Sequence, residues 1–235
     1  MTNEKLKLYA KLKQKKFREE NKQFLIEGIH LVEECLKSKY YKKNIIEVFL
    51  RKDFNNEKIL NKLKNIEFDY LSDSDFNKIS ETENSQGIIG LVNNQENLQL
   101  LESKIICALD NINDPGNLGT ILRICWLFWV ENVLISKNSV DTYNSKVIRA
   151  SQGALFNLQI KDNIDLHDEL KNLHKRKFEI VITDLDTKNS LENYKFDNKN
   201  DYVIVFGNEA NGISKEIKEV KEYDRIKIDS YAGCE

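Results

Sequence analysis

Apolar residues follow two different patterns along this chain, one on each side of residue 95. In the first region Phe24, Ile26, Ile29, Leu31, Val32 and Leu36 suit a short extended lead-in followed by an amphipathic helix. A basic helical segment precedes it. IIEVFL (45–50) reads as a buried strand, NEKILNKLKN (56–65) as a helix and FDYL (68–71) as a short strand. SQGIIGLV (85–92) reads as a further strand with glycine punctuation. Together these predict a small α/β domain over residues 1–95.

The polar stretch NNQENLQLLES (93–103) is expected to be a linker, with a second domain over 103–235. There the pattern turns regular. Short apolar strands at IICAL, NVLIS, EIVITD, YVIVFG and RIKID alternate with helices near Asn117–Trp129, near Ser145–Ala154, in DLHDELKNLHK and in SKEIKEVK. Continuous apolar strands separated by helices predict an α/β fold, a parallel sheet with helices on both faces. In such sheets, sites form outside the carboxyl ends of the strands.

Hydrophobic residues make up 40% of the 235, enough for a packed core, and the net charge is only −2. No segment has the apolar length of a membrane span, and the first residues lack the apolar stretch of a secretory signal. Cys35, Cys107, Cys125 and Cys234 show no C-x-x-C pairing, which favours reduced structural thiols in a cytoplasm over a metal site. Charge is uneven, however. Between Lys5 and Lys22 eight basic residues, Lys15, Lys16 and Arg18 among them, face two acidic ones. Such a cluster suits phosphate binding and equally suits a solvated helix face. His30, His167 and His174 sit in ordinary helical patterns and are assigned no chemistry.

Three strand-end loops stand out chemically: DNINDPGNLG, DLDTKNS and GNEANGIS. The first holds Pro115, the chain's only proline, in an Asp-Pro-Gly turn signal. Arg123 follows on an otherwise apolar helix, and its planar fork suits a carboxylate or a phosphate. Asn117, at the expected helix start, fits an N-cap as well as a ligand. GNEANGIS is neither the G-x-G-x-x-G fingerprint nor a P-loop. Its glycines open backbone N–H groups to a flat or anionic ligand, and Glu209 between them needs a partner.

In this order and spacing, DNINDPGNLGTILR, IVFGNEANGIS and RIKI resemble the motifs of the SpoU, or TrmH-type, RNA ribose 2′-O-methyltransferases of the SPOUT superfamily. LISKNSVDTYNSKVIRASQGALFNLQI, which contains Arg149, matches the family between those motifs. FLIEGIHLVEE with SQGIIGLV resembles the RNA-binding domain carried in front by many members. The resemblance implies methyl transfer from S-adenosylmethionine to a ribose 2′-hydroxyl of ribosomal or transfer RNA, by a knotted, homodimeric, cytoplasmic enzyme. It makes Arg123 the catalytic arginine with Asn117 and Glu209 in support. Gly207, Asn208, Ile228, Thr183 and Asp184 would lie at the methyl donor. Lys15, Lys16, Arg18 and Arg149 would contact RNA.

Departures from the family pattern are local. Asp229 stands in the usual place of a proline, and the sequence stops at RIKIDSYAGCE, where the family continues into a final helix. That predicts an incomplete knot. Trp129 replaces a common glycine and Ala210 another; Trp126 and Trp129 are expected in the core, with partner contact as the alternative. Two other readings stay open at this level. One is a catalytically silent RNA-binding protein derived from such an enzyme. The other is an unrelated nucleotide-binding α/β enzyme, disfavoured by the absence of both phosphate-loop fingerprints.

Overall fold

A computed structural model describes residues 1–95 and 103–229. Most of the expected 93–103 linker, Cys234 and the segment on which the knot expectation rests lie outside the described residues.

The first sheet has four strands in the order β1 (Gln23–Glu27), β4 (Ile88–Asn93), β2 (Ile45–Arg51), β3 (Glu67–Leu71). β4 runs antiparallel to both neighbours, with Phe24 opposite Val92 and Phe49 opposite Ile89, while β2 and β3 are parallel. Helices α1 (Asn3–Lys11) and α5 (Asp73–Ile79) cover one face, packing Leu6, Tyr9, Phe76 and Ile79 against Phe49, Ile89 and Leu91. The remaining helices here are α2 (Lys15–Asn21), α3 (Ile29–Lys37) and α4 (Glu57–Lys62). α5 is absent from the sequence expectation, although its start signal is local: Ser72 Oγ accepts from the Asp75 N–H at 3.2 Å.

The second sheet has six strands, all parallel, in the order β10-β8-β9-β5-β6-β7. These are β5 (Ile105–Leu109), β6 (Asn132–Ser136), β7 (Gln159–Ile164), β8 (Phe178–Thr183), β9 (Asp201–Phe206) and β10 (Asp224–Ile226). Helices α8 (Leu166–Lys175) and α9 (Lys215–Lys218) pack one face, placing Leu166, Leu170, Leu173 and Ile217 on Ile106, Ala108, Val203 and Val205. β7 was not expected: QIKDNI is too polar for a buried strand and sits at the sheet edge.

Helix α6 (Pro115–Leu127) and helix α7 (Ser145–Ser151) complete the fold. The chain divides into two compact units that do not follow chain order. Residues 1–97, 115–123 and 141–157 form one, and 98–114, 124–140 and 158–235 the other. In the first unit α6 meets α7 at Gly119, where an added Cβ would lie 2.5 Å from Ala150 Cβ and 2.6 Å from the Val147 carbonyl oxygen. Only a residue without a Cβ permits that approach.

Candidate active site

β5 and β9 are parallel neighbours with Leu109 beside Phe206, so the loops that follow them leave the sheet side by side. Buried Asp110 joins them, accepting the Ser214 N–H at 2.7 Å and Asn111 Nδ2 at 3.0 Å. Asn208, also buried, donates from Nδ2 to the Asn111 carbonyl at 2.9 Å, while its Oδ1 accepts the N–H groups of Ala210 and Asn211. Asn111 takes a left-handed φ of 57° and donates its N–H to Ser136 Oγ at 2.8 Å. Two loops far apart in sequence are therefore held as one edge.

The 207–213 turn explains its own glycines. Asn208 and Gly212 form an antiparallel bridge, returning the chain so closely that a Cβ on Gly207 would sit 2.3 Å from the Gly212 carbonyl carbon. Gly212 has a φ of +66°, favourable for glycine and costly for other residues.

Beside this turn lies a cavity of about 380 Å³. Thr183, Asp184, Gly207, Asn208 and Ile228, all expected at a methyl donor, line it together with Glu209. Thr183 Oγ1 is occupied, donating to the Val205 carbonyl at 3.0 Å. The Asp184 side chain is 2% exposed and accepts from Lys218 Nζ at 2.8 Å, with Arg225 at 3.7 Å. Lys218 also reaches Asp186 at 2.8 Å. Burial pushes the Asp184 carboxyl up, but hydrogen bonds from Lys218 and the Asp186 N–H, with the charges of Lys218 and Arg225, hold it below its ordinary value. Those hydrogen bonds to Asp184 and Asp186 in turn raise the Lys218 ammonium.

Sequence reasoning missed Asp110 and Lys218. Asp110 carried a usable signal, an aspartate ending an apolar strand. Lys218 carried none, because its partners lie 32 and 34 positions away.

Asn117 and Arg123 are exposed on α6. The helix begins at Pro115, so Asn117 lies inside its first turn and is not the N-cap; the lone proline opens the helix with its preset φ. Lys15 and Lys16 are exposed, beside Glu19 and Glu20 at 3.7 and 3.9 Å. Arg18 departs from the expectation of an open phosphate contact. It is buried, giving Nε to Asp141 at 2.8 Å, Nη2 to the same carboxylate and Nη1 to the Leu12 carbonyl at 2.7 Å. Arg149, half-buried, lines a crevice of about 20 Å³ with Arg18, Glu27 and Glu81.

Core burial of the tryptophans does not occur. Trp129 is 77% exposed with a φ of 62°, and Trp126 is half-buried. The Val130 N–H bonds the Cys125 carbonyl at 2.9 Å, so Trp129 fills the left-handed position that ends a helix, where glycine is usual. Ile124, Leu127 and Phe128 are exposed beside it in sequence. Cys35, Cys107 and Cys125 are free and buried. Among the described residues no group of three or more His, Cys, Asp or Glu could hold a metal, and no helix is long and apolar enough to cross a membrane.

A parallel sheet whose strand-end turns build a cavity from backbone and carboxylates places that cavity where open α/β sheets bind their ligands. Comparison with known proteins sharpens this. The model of the SpoU rRNA Methylase family matches residues 104–235 and that of the MRM3-like substrate binding domain matches residues 3–90, and the chain belongs to the SpoU rRNA methylase family. It is 30% identical, over 92% of its length and 84% of the relative's, to the 23S rRNA (guanosine-2′-O)-methyltransferase RlmP of Bacillus subtilis. It is 31% identical to the human mitochondrial rRNA methyltransferase 3 over 66% of this chain, which spans 38% of that protein. A solved structure of a candidate TrmH-family RNA methyltransferase from Porphyromonas gingivalis superposes with a TM-score of 0.83 at 26% identity, covering 98% of this chain and 89% of that one.

Proposed function

We propose that this chain transfers a methyl group from S-adenosylmethionine to a ribose 2′-hydroxyl of ribosomal RNA. The observation that carries the reading is the convergence of Thr183, Asp184, Gly207, Asn208, Glu209 and Ile228 on one strand-end cavity. The donor fits what these residues offer. The close turn at Gly207 leaves the cavity wall without a side chain at that point, so a flat group of the donor would meet backbone there. When bound, the donor supplies an electrophilic methyl on a positively charged sulfur, and carboxylates nearby suit that charge. A solved structure of an AdoMet-bound rRNA methyltransferase from Sinorhizobium meliloti shares the fold, with a TM-score of 0.83 at 22% identity.

Arg123, Asn117 and Glu209 are assigned to catalysis. A guanidinium does not readily give up a proton, so Arg123 orients the target phosphate and stabilises the developing 2′-oxyanion. Asn117 and Glu209 are assigned supporting roles, as the family motifs imply. Much of the rate then comes from alignment. Lys15, Lys16 and Arg149 are assigned to the RNA backbone; Arg18 is not, since it is buried and held by Asp141 and the Leu12 carbonyl. Homodimerisation, supported by the exposed Ile124, Leu127, Phe128 and Trp129, and the cytoplasmic setting belong to the same proposal.

Calorimetric titration with S-adenosylmethionine, followed by methylation of transcribed ribosomal RNA, tests the reading. Donor binding and label resistant to alkaline hydrolysis are expected. Arg123→Ala should keep donor binding and lose methylation. Undiminished turnover would remove the arginine from the mechanism, and a chain that binds RNA without binding donor would be a silent RNA-binding protein.

A further inference from the structure

A second cavity, of about 490 Å³, lies along the same edge of the six-stranded sheet, over the ends of β9, β5 and β6. This is where the order of the strands reverses: the chain runs outward from β5 to β6 and β7, then returns on the other side through β8 and β9. Ligands in open α/β sheets gather at that point. The two cavities share Asn208, Asn211, Gly212, Ile213 and Lys218, so the glycine turn is the wall between them.

The lining differs from that of the first cavity. Five asparagines face it, Asn111, Asn113, Asn138, Asn208 and Asn211, with Lys215 and Lys218. Asn208 spends its side chain on the Asn111 carbonyl and on its own turn, and the Asn111 side chain donates to its neighbour Asp110. Asn113 and Asn138 are exposed and line only this second cavity.

We propose that this second cavity receives the acceptor region of the RNA, with the amides of Asn113 and Asn138 bonding the edge of an unpaired base and Lys215 meeting a neighbouring phosphate. The proposal rests on the methyl-transfer reading and names the substrate side of it. Each amide offers both a donor pair and an acceptor, the combination that a nucleobase edge presents in return. A small anion would call for more positive charge than two lysines, one of them already held by Asp184 and Asp186. A ribose oxygen must also come within bonding distance of the donor methyl. The second cavity adjoins the first across one turn, the neighbourhood such a reaction calls for.

The test uses the full chain with the double substitution N113A/N138A, checked for an unchanged thermal transition. Donor affinity is measured by calorimetry and methylation by single-turnover rates against the concentration of unmodified 23S rRNA transcript. Unchanged donor binding with a loss of about tenfold or more in kcat/KM, carried by KM, is expected from losing base-edge bonds. N138D should lose more, since a carboxylate has no N–H to offer and repels phosphate. Wild-type RNA dependence in both variants, with normal donor binding, would overturn the inference and leave the function standing. A wild-type chain that binds no donor, or leaves the transcript unmethylated, would overturn the function itself and this subsite with it.

Discussion

Charged side chains serve opposite ends in the two units. In the first, Arg18 is sunk into the protein with its fork filled by Asp141 and a main-chain oxygen. Glu27 there is likewise surrounded, by Ser80 Oγ and Thr82 Oγ1 at 2.6 Å each and the Glu81 N–H at 2.8 Å. Burial pushes the Glu27 carboxyl up, yet those bonds hold it below its ordinary value. In the second unit Lys218 and Asp184 are equally well paired, but the pair stands in the wall of a cavity. The contrast is one of position: the Arg18 pair is enclosed within its unit, whereas the Lys218–Asp184 pair lines a cavity.

The sharpest way to break this contrast is at the glycine turn. Gly207→Ala places a Cβ 2.3 Å from the Gly212 carbonyl carbon, so the turn must open. Donor affinity should fall by about a hundredfold or more, measured by calorimetry, while the first unit stays folded. Next comes Arg18→Ala, which strands the Asp141 carboxylate and should cost about 3 kcal/mol of stability, read from urea unfolding, with donor affinity unchanged. If donor binding fell instead, Arg18 would not be the enclosed strut described.

Lys218→Met leaves the buried Asp184 carboxylate with Arg225, at 3.7 Å, as its charged partner, so it should weaken the donor by about tenfold and also lower stability in urea unfolding; Lys218→Arg should restore most of both. The pH dependence follows from Asp184. Its folded pKa is lowered, so its contribution is fully present above the unfolded value of about 3.9 and is lost as pH falls through the lower folded value. Urea unfolding at stepped pH should therefore show this contribution intact from neutral pH into the mildly acid range and lost only below about pH 4. The smallest effect is at Trp129. Its left-handed backbone costs about 1 kcal/mol relative to glycine, so Trp129→Gly should raise the unfolding free energy by about that much, seen as a higher urea midpoint. Sedimentation of the same variant would show whether the exposed indole also holds a second copy.

Much of this was legible beforehand where the signal was local. The apolar strand runs, the glycines of the 207–213 turn and the family motifs all lie within short windows. β7 escaped because an edge strand buries too little to look apolar, and α5 because its start signal lay between short elements. Arg18 misled for a different reason: a basic cluster does not reveal which of its members has a carboxylate 123 positions away. Lys218 was hidden for the same reason, and the exposed tryptophans because large apolar side chains in a helix read as core.

The contact at Gly119 reaches further than its size suggests. There α6 rests directly on α7, with no side chain as spacer. A single methyl group inserted at that point would act as a lever under the helix, lifting Asn117 and Arg123 with it. A transfer reaction that depends on three atoms in a line has little tolerance for such tilt. Gly119 therefore fixes the tilt of the helix that carries Arg123.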